Sequence, residues 1–582
     1  IVLPSSLYST QAPDHPSQLT IVPVENGNGL TLIAFEYTSD RNEEDPQFVG
    51  LTYDATPRTH GLIQSQPQSL AELSSFLKQE GENFLEEFRL RVKQWKSEEG
   101  LSLESKFIII LRVPKRRADD SSVEDVEVWA FATLKSIAEV GEEIGVWEMR
   151  GDEAGLLISP DKSSQGGNVG LALLNPTQAL TASQAAKINA TEFNQENHVA
   201  VGVGTLGSQV FANLTRMGYG TWTLIDKDIL LPHNVSRHYL SHSYVGVPKA
   251  VSMKLFANRL FENPIAQAFV GDATDSDAEE LKKSYEDANT ILDMSASVSV
   301  ARYLALDVDS DARRVSLFLS PNGRDLVLLA EPSERSLRLD QLEVEYYWGL
   351  CENDNISDHL HMDGEQLRYG QSCRDVSSTL PQDLAALHAA TGAHAYRSLT
   401  TSATARLWRA KEEMTVASHG IDVMNHHEFS VGDWKLSVSR RVLESMREHR
   451  SSEIPNETGG VLIGGFDTQR RRVYVAGILL SPPDSEEWPT AYVRGAEGLE
   501  NDLNLIETQT AGQIGYVGEW HSHPPGADTT ASEDDRTLFN WLADHRKKDG
   551  LPAVMAIQGS DLVSRWFVSS VDQSYELVKP RT

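Results

Sequence analysis

The segment Gly518-Glu519-Trp520-His521-Ser522-His523-Pro524, with Ser532 and Asp535 after it and Glu457-Thr458-Gly459-Gly460 before it, holds the residue types that hydrolytic metal chemistry needs. Histidines one residue apart at a strand end share a face and can converge on one ion. A carboxylate beyond them completes three protein ligands and leaves a fourth zinc position for water, as a catalytic site requires. Glu457 is then the natural general base. A Lewis acid, a low-pKa water and a proton shuttle are what metal-assisted amide hydrolysis demands. A bare HxH is more often two surface histidines in a turn, but the ordered set of Glu457, His521, His523, Ser532 and Asp535 outweighs that reading.

A second constellation begins at Val199-Ala200-Val201, which leads into Gly202-Val203-Gly204-Thr205-Leu206-Gly207. Val210, Leu214 and Met217 follow at helical spacing, and 221–225 reads as a second strand ending at Asp226. In such a unit the glycines allow close backbone approach, the helix N-terminus attracts phosphate, and the acid bonds a ribose hydroxyl. That much fits a nicotinamide dehydrogenase. Asn234, Arg237 and Lys249 change the reading. An adenylating enzyme needs such a cluster, because a pentavalent phosphorus and a departing pyrophosphate carry charge that cations offset.

Residues 425–582 resemble the JAB/JAMM (Mov34/MPN) metalloproteases, which hydrolyse isopeptide or peptide bonds beside ubiquitin-like proteins. The resemblance implies His521, His523 and Asp535 as ligands of Zn2+, Glu457 as the base acting on water, and Ser532 as donor to the tetrahedral oxyanion. Eight residues separate His523 from Ser532 where the family usually has seven. Strict spacing would put Ala531 at the serine position and make Asp534 the ligand. Asp535 is preferred, since Ser532 then survives and can cap the helix that starts at Asp534-Asp535-Arg536.

Through Asp226-x7-Asn234-xx-Arg237 and Pro248-Lys249, residues 190–415 resemble the ThiF/MoeB and ubiquitin-activating adenylation domain. That likeness implies ATP and Mg2+, with Gly202, Gly204 and Gly207 under the phosphates, Asp226 on the ribose, and Asn234, Arg237 and Lys249 on the triphosphate. Arg237 would also stabilise transition-state charge. The family's DxxDN is reduced here to Asp293, with Ala296 at the second acidic position. Either Asp293 takes the magnesium role, or the ion is held mainly by ATP and water. Only Cys351 and Cys373 could carry a thioester. Tyr369-Gly370-Gln371-Ser372-Cys373-Arg374-Asp375 is polar with an adjacent arginine, a setting that exposes a thiol and lowers its pKa. Cys373 is the expected nucleophile, and Cys351, after Tyr346-Tyr347-Trp348, reads as buried and inert.

The fold class expected to position these groups is α/β throughout. An N-terminal α+β module (1–185) precedes a doubly wound, Rossmann-like adenylation domain (186–415) and a JAB/MPN β-sheet with flanking helices (425–582). The 582 residues suit about three domains. In the first module, 69–95 has helical periodicity, and 107–111 and 126–131 read as strands joined by the charged loop 115–127. No cysteine precedes Cys351, so this module holds no intact thioester-forming conjugating site. The polar stretches 161–167 and 410–427 read as joins.

Fifty-two basic against 84 acidic residues give a net charge of −32, which argues against nucleic acid or an anionic membrane as partner. No apolar run approaches about 18 residues, so no membrane span is expected. Two cysteines exclude a disulfide framework and fit a reducing, cytoplasmic setting. The start at Ile1 rather than Met is expected of a trimmed terminus.

The expected function is ATP-dependent activation of a bacterial ubiquitin-like protein, fused to a zinc peptidase that processes or removes it. Expected partners are the ubiquitin-like tail, a conjugating-type enzyme and a second copy of the adenylation domain. Sulfur-carrier activation in cofactor or amino-acid biosynthesis is the alternative, and Cys373 discriminates. Cys373→Ala is expected to retain pyrophosphate exchange while losing the reductant-sensitive adduct. An adduct that instead vanishes in Cys351→Ala moves the nucleophile, and no adduct in the wild type favours sulfur transfer.

Overall fold

The run 107–111 carries no polar side chain on either face, so it must be a strand covered on both sides. In the computed structural model it lies within Lys106–Arg116. Phe107, Ile109 and Leu111 face a core shared with Leu73, Phe84 and Phe88, while Ile108 and Ile110 face another with Leu7, Leu19 and Ile21. The described residues are all but 11–15, 27–28, 37–46, 61–65, 79–82, 97–101, 152, 160, 162, 362–365, 369–375, 379, 412–414, 561–562, 570–573 and 579–582. They form two units, Ile1–Ala185 with Arg259–Pro264, and Ala186–Asn258 with Ile265–Thr582.

In the first unit the sheet runs Leu171–Leu174, Asp125–Thr133, Lys106–Arg116, Phe48–Asp54, Gln18–Asn26, Gly29–Glu36, Val2–Leu3 and Thr177–Gln178. The periodicity over 69–95 resolves into two helices, Leu70–Leu77 and Phe84–Lys96. Ser69 caps the first, its Oγ accepting from Glu72 N at 3.3 Å. The loop between the strands is shorter than 115–127. Lys115 pairs with Asp125 on the ladder, and its ammonium meets Glu127 at 2.8 Å. Charges that read as loop are the outer rungs of a hairpin.

In the second unit Asn194–Val201 lies between Tyr219–Ile225 and Thr290–Asp293, all parallel. Ala266–Phe269 and Arg313–Leu319 extend the parallel part, and Asp325–Ala330, Thr404–Ala410 and Val416–Ile421 add antiparallel strands. Strand order reverses at Asn194–Val201, so a crevice opens beyond its carboxyl end. Val416–Ile421 falls in the stretch read as a join. As an edge strand it has few apolar positions, and Ile421 packs where a Cβ on Gly349 would clash.

A further sheet orders His426–Val431, Trp434–Ser439, Arg472–Leu480, Gly459–Asp467, Gly515–Ser522, Val554–Gln558, Val563–Val568 and Ser574–Val578. Helix Leu339–Cys351 is buried against both sheets. Leu339, Tyr346 and Leu350 pack with Val327, Leu329 and Leu407 of one. Val344, Tyr347 and Trp348 pack with Val461, Ile463 and Ala476 of the other. A helix with apolar residues facing two directions buries them only when so enclosed. Among the described residues no helix is long and apolar enough to cross a membrane.

Because one helix completes two cores, Leu350→Ala is expected to cost about 2–5 kcal/mol and to reduce amide protection in Asn194–Val201 and Gly459–Asp467 together. Hydrogen exchange in dilute denaturant reads this, and loss confined to one sheet contradicts it.

Candidate nucleotide cleft and metal centre

Val201, Ile225 and Asp293 end three neighbouring parallel strands. Beyond them a cleft of about 240 Å³ is lined by Gly202, Gly204, Asp226, Asp228, Lys249 and Ser295, among others. Gly202 takes φ +86°, and a Cβ there would stand 2.8 Å from the Ser295 backbone. At Gly207 it would stand 2.1 Å from Gly202 O. At Gly204 it would meet nothing within 4 Å, although this residue lines the cleft. Gly202 and Gly207 therefore allow the turn to close, and Gly204 leaves room at the N-terminus of helix Thr205–Arg216, which fits a phosphate.

Asp226 accepts from Val203 N and Asp228 N, each at 2.8 Å. Burial raises its pKa against the pull of those amides and of Lys249. Each carboxylate oxygen has capacity for another donor, such as a ribose hydroxyl. Lys249 opens helix Lys249–Ala257, and its ammonium meets Asp228 Oδ2 at 3.1 Å.

Asn234 and Arg237 stand outside the cleft lining, in and just after the turn Pro232–Ser236. Asn234 Oδ1 accepts from Leu231 N at 2.9 Å, and the Arg237 guanidinium donates to Leu380 O at 3.2 Å. That turn packs on the glycine turn all the same. His238 Nε2 donates to Val203 O and Gln209 Nε2 to Arg237 O, both at 2.8 Å. Asp293 is buried one residue behind the lining and accepts from Ser295 N at 2.9 Å. Burial, with Glu343 adding, pushes its pKa up to about 6. The carboxylates that line the cleft are Asp226, Asp228 and Asp272.

The second site forms at the end of Gly515–Ser522, where His521 lies opposite Gly459 and Ile557. Ser522 N donates to Thr458 O at 2.7 Å, and Thr458 N to Ser522 Oγ at 3.1 Å. Glu457, the next residue, donates its N–H to Trp488 O at 2.9 Å. His523 N donates to Gln558 O at 2.9 Å, and its ring Nδ1 to Asp528 O at 2.5 Å. That ring bond fixes the tautomer and presents Nε2 as the ligand atom. His521 Nε2 lies 3.0 Å and His523 Nε2 3.5 Å from oxygens of Asp535. One ligand atom from each residue lies within 4.8 Å of the others. Although buried and this close, His521 Nε2 makes no hydrogen bond. A buried ring nitrogen without a hydrogen bond, 3.0 Å from a carboxylate oxygen, fits a cation held by both.

Ser532 caps helix Glu533–Arg546, which begins one residue before the expected start. Its Oγ accepts from Asp535 N at 3.1 Å, and its own N donates to Asp535 Oδ2 at 2.7 Å. This reciprocal cap turns Asp535, not Asp534, toward the histidines. Burial opposes ionisation of Asp535, but His521 and His523 outweigh it and hold the carboxyl far below its usual range. For His523 burial alone would lower the pKa, and Asp535, the Asp528 carbonyl and Glu457 together raise it. Burial raises Glu457, with Asp535 adding and the two histidines opposing.

Residues 185–306 match the ThiF family, and residues 439–569 match prokaryotic homologs of the JAB domain. The chain carries a ThiF-type domain and a JAB-type domain. It is 28% identical over 137 residues to a "CD-NTase/cGAS isopeptidase" of Enterobacter hormaechei subsp. hoffmannii, spanning 24% of this chain and 74% of that one. It is 29% identical over 142 residues to the "ATP-dependent ubiquitin transferase-like protein Cap2" of the same organism, spanning 24% of each chain. The solved structure of E. coli MccB with ATP covers 41% of this chain and 66% of its own, at 14% identity and a TM-score of 0.29.

Sequence reasoning missed Asp228, the latch on Lys249 in the ThiF domain, since an acid two residues past Asp226 carries no distinctive signal. It also missed the Thr458–Ser522 lock and the Asp528 carbonyl in the JAB domain, each of which uses backbone atoms that residue types do not announce. Cys373 lies outside the described residues. Cys351 ends a buried helix, and burial pushes its thiol up to about 12, in keeping with an inert role.

A carboxyl whose pKa is raised by folding costs stability above that pKa, and the cost vanishes below the unfolded value. Asp293→Asn is therefore expected to gain stability relative to wild type at pH 8 compared with pH 4, on the order of 3 kcal/mol for a pKa near 6. Denaturant midpoints measured at both pH values check this, and an equal shift at both contradicts it.

Proposed function

We propose that the ThiF domain adenylates the C-terminal carboxylate of a ubiquitin-like protein with ATP and Mg2+, and that the JAB domain hydrolyses the peptide or isopeptide bond made through that carboxyl. The observation that carries the reading is the convergence of His521, His523 and Asp535 near Glu457, in a chain that also holds an open glycine cleft. The names of the two Enterobacter relatives, an isopeptidase and a ubiquitin transferase-like protein, support it.

In the ThiF domain the Gly202–Gly204 backbone would cradle phosphates, and Asp226 would take the ribose. The tail carboxylate attacks the α-phosphorus, the bond to the β-phosphate breaks, and pyrophosphate leaves. Lys249, exchanging Asp228 for phosphate, and Arg237 offset the charge that develops. Asn234 and Gly207 hold the turns that bear them. Asp293 is the acid proposed for Mg2+, with Asp228 and Asp272 nearer the cleft but engaged by Lys249 and Lys227. Cys373 would then accept the acyl group as a thioester and release AMP, for delivery to a conjugating-type enzyme. A second copy of the chain is proposed as partner through the ThiF domain.

In the JAB domain, Zn2+ held by His521, His523 and Asp535 would polarise the scissile carbonyl and acidify a water. Glu457, whose pKa burial raises, would take a proton from the attacking water and return it to the leaving amine. Ser532 Oγ accepts from Asp535 N, so its hydroxyl proton serves the oxyanion. Hydrolysis yields the free carboxylate that adenylation consumes, and one shared chain raises its local concentration for both.

The protein is expected to bind about one zinc per chain. Asp535→Asn should lower zinc content and Asp534→Asn should not. Glu457→Gln should keep the metal and slow cleavage of a C-terminally extended ubiquitin-like protein about 100-fold or more. Near wild-type cleavage by Glu457→Gln would remove it from the mechanism.

A further inference from the structure

We infer that Arg450 is a positioning residue for the metal centre, acting through the main-chain carbonyl of His523; the inference rests on the zinc reading above. Helix Arg440–Glu453 buries Val442, Met446 and Arg450, one residue per turn on one stripe. Two of the three are apolar, as a core-facing stripe requires. The third is an arginine at 6% exposure, a position where a charged side chain is costly unless something holds it. Its Nε donates to His523 O at 2.8 Å, and the bond is buried. A break in the apolar pattern of this kind marks a site rather than a core.

The need for that bond lies in Pro524. It has no N–H, so the chain turning away from His523 cannot be tied by an amide at the next residue. Arg450 supplies a donor from another element. With it, His523 is held at three points: its N to Gln558 O, its O by Arg450, and its Nδ1 to Asp528 O. Nε2 is the remaining polar atom, and it faces Asp535. The same helix leads through 454–456 into Glu457, so Arg450 links the base-bearing segment to the ligand-bearing strand. Without its donor, the 523–524 peptide could rotate, carrying Nε2 away from Asp535 and leaving a buried carbonyl unpaired.

Zinc affinity, measured by chelator competition on the full chain, tests this, with Arg450→Met and Arg450→Lys set against Met446→Ala. Arg450→Met is expected to weaken zinc binding about 10- to 100-fold, in line with other outer-shell losses. At saturating zinc its kcat on an extended ubiquitin-like protein should fall with KM unchanged. Arg450→Lys, which keeps a cationic donor, should recover part of both. Met446→Ala, one turn away and fully buried, should lower Tm while leaving zinc affinity within about threefold. Wild-type zinc affinity in Arg450→Met overturns the inference, as does equal zinc loss in Met446→Ala at a matched drop in Tm. Should Arg450→Met fail to fold, Arg450→Lys carries the test, with weakened zinc binding at a near-native Tm expected and unchanged binding overturning it. A wild type that binds no zinc overturns the zinc reading itself.

Discussion

Helix Leu339–Cys351 is enclosed by two sheets, and each sheet uses it to close a core. Its acids are buried with it. Asp340 meets Arg338 at 3.1 Å, Glu343 meets Arg302 at 3.0 Å, and Glu345 meets His426 at 3.0 Å. Tyr474 donates to Asp340 at 2.8 Å, and Gln341 to Ser437 at 3.0 Å, each across the junction. Buried charges of this kind are tolerated only when paired, and stripping one partner is strongly destabilising. The ThiF and JAB domains are therefore joined as one body rather than strung on a linker. Gly477 completes the fit, since a Cβ there would stand 2.3 Å from the Trp348 ring.

That body sets where the two sites can be. The His521, His523 and Asp535 cluster lies at the Gly459 end of strand Gly459–Asp467, which pairs with His521. The Arg470–Asp307 ion pair to the ThiF domain lies just past the other end, about 27 Å away along the strand. The two sites draw on different devices. At the nucleotide cleft three strand ends and a glycine turn leave space, and a lysine is held on the rim by Asp228. Around His521, His523 and Asp535, by contrast, the backbone of Thr458, Ser522, His523 and Ser532 is tied down by hydrogen bonds. The Thr458–Ser522 lock, the Asp528 carbonyl and the Ser532 cap leave the ligand atoms facing one another.

Much of this is legible in the sequence where the governing rule is local. Alternation along a strand puts His521 and His523 on one side, and the serine cap explains why Asp535 turns inward. The glycine turn and Asp226 are readable because strand, turn and helix follow each other directly. What resists reading is set by distant partners. The charges of 115–127 read as loop because their pairing partners lie across a hairpin. Val416–Ile421 reads as a join because an edge strand needs few apolar residues. Spacing pairs Asn234 and Arg237 with a triphosphate, but it does not show that their side chains also engage Leu231 N and Leu380 O beside the cleft. The enclosure of Leu339–Cys351 is hidden because its second set of neighbours comes from more than a hundred residues downstream.

The central claim, that both domains act on the carboxyl of one tail, is tested most directly by ATP–pyrophosphate exchange with a ubiquitin-like protein extended beyond its terminal glycine. The account predicts exchange that begins after a lag, is abolished by a zinc chelator, and is restored without a lag when the tail is supplied already trimmed. Exchange from the extended protein at the trimmed rate in the presence of chelator would contradict it, as would no exchange from either form.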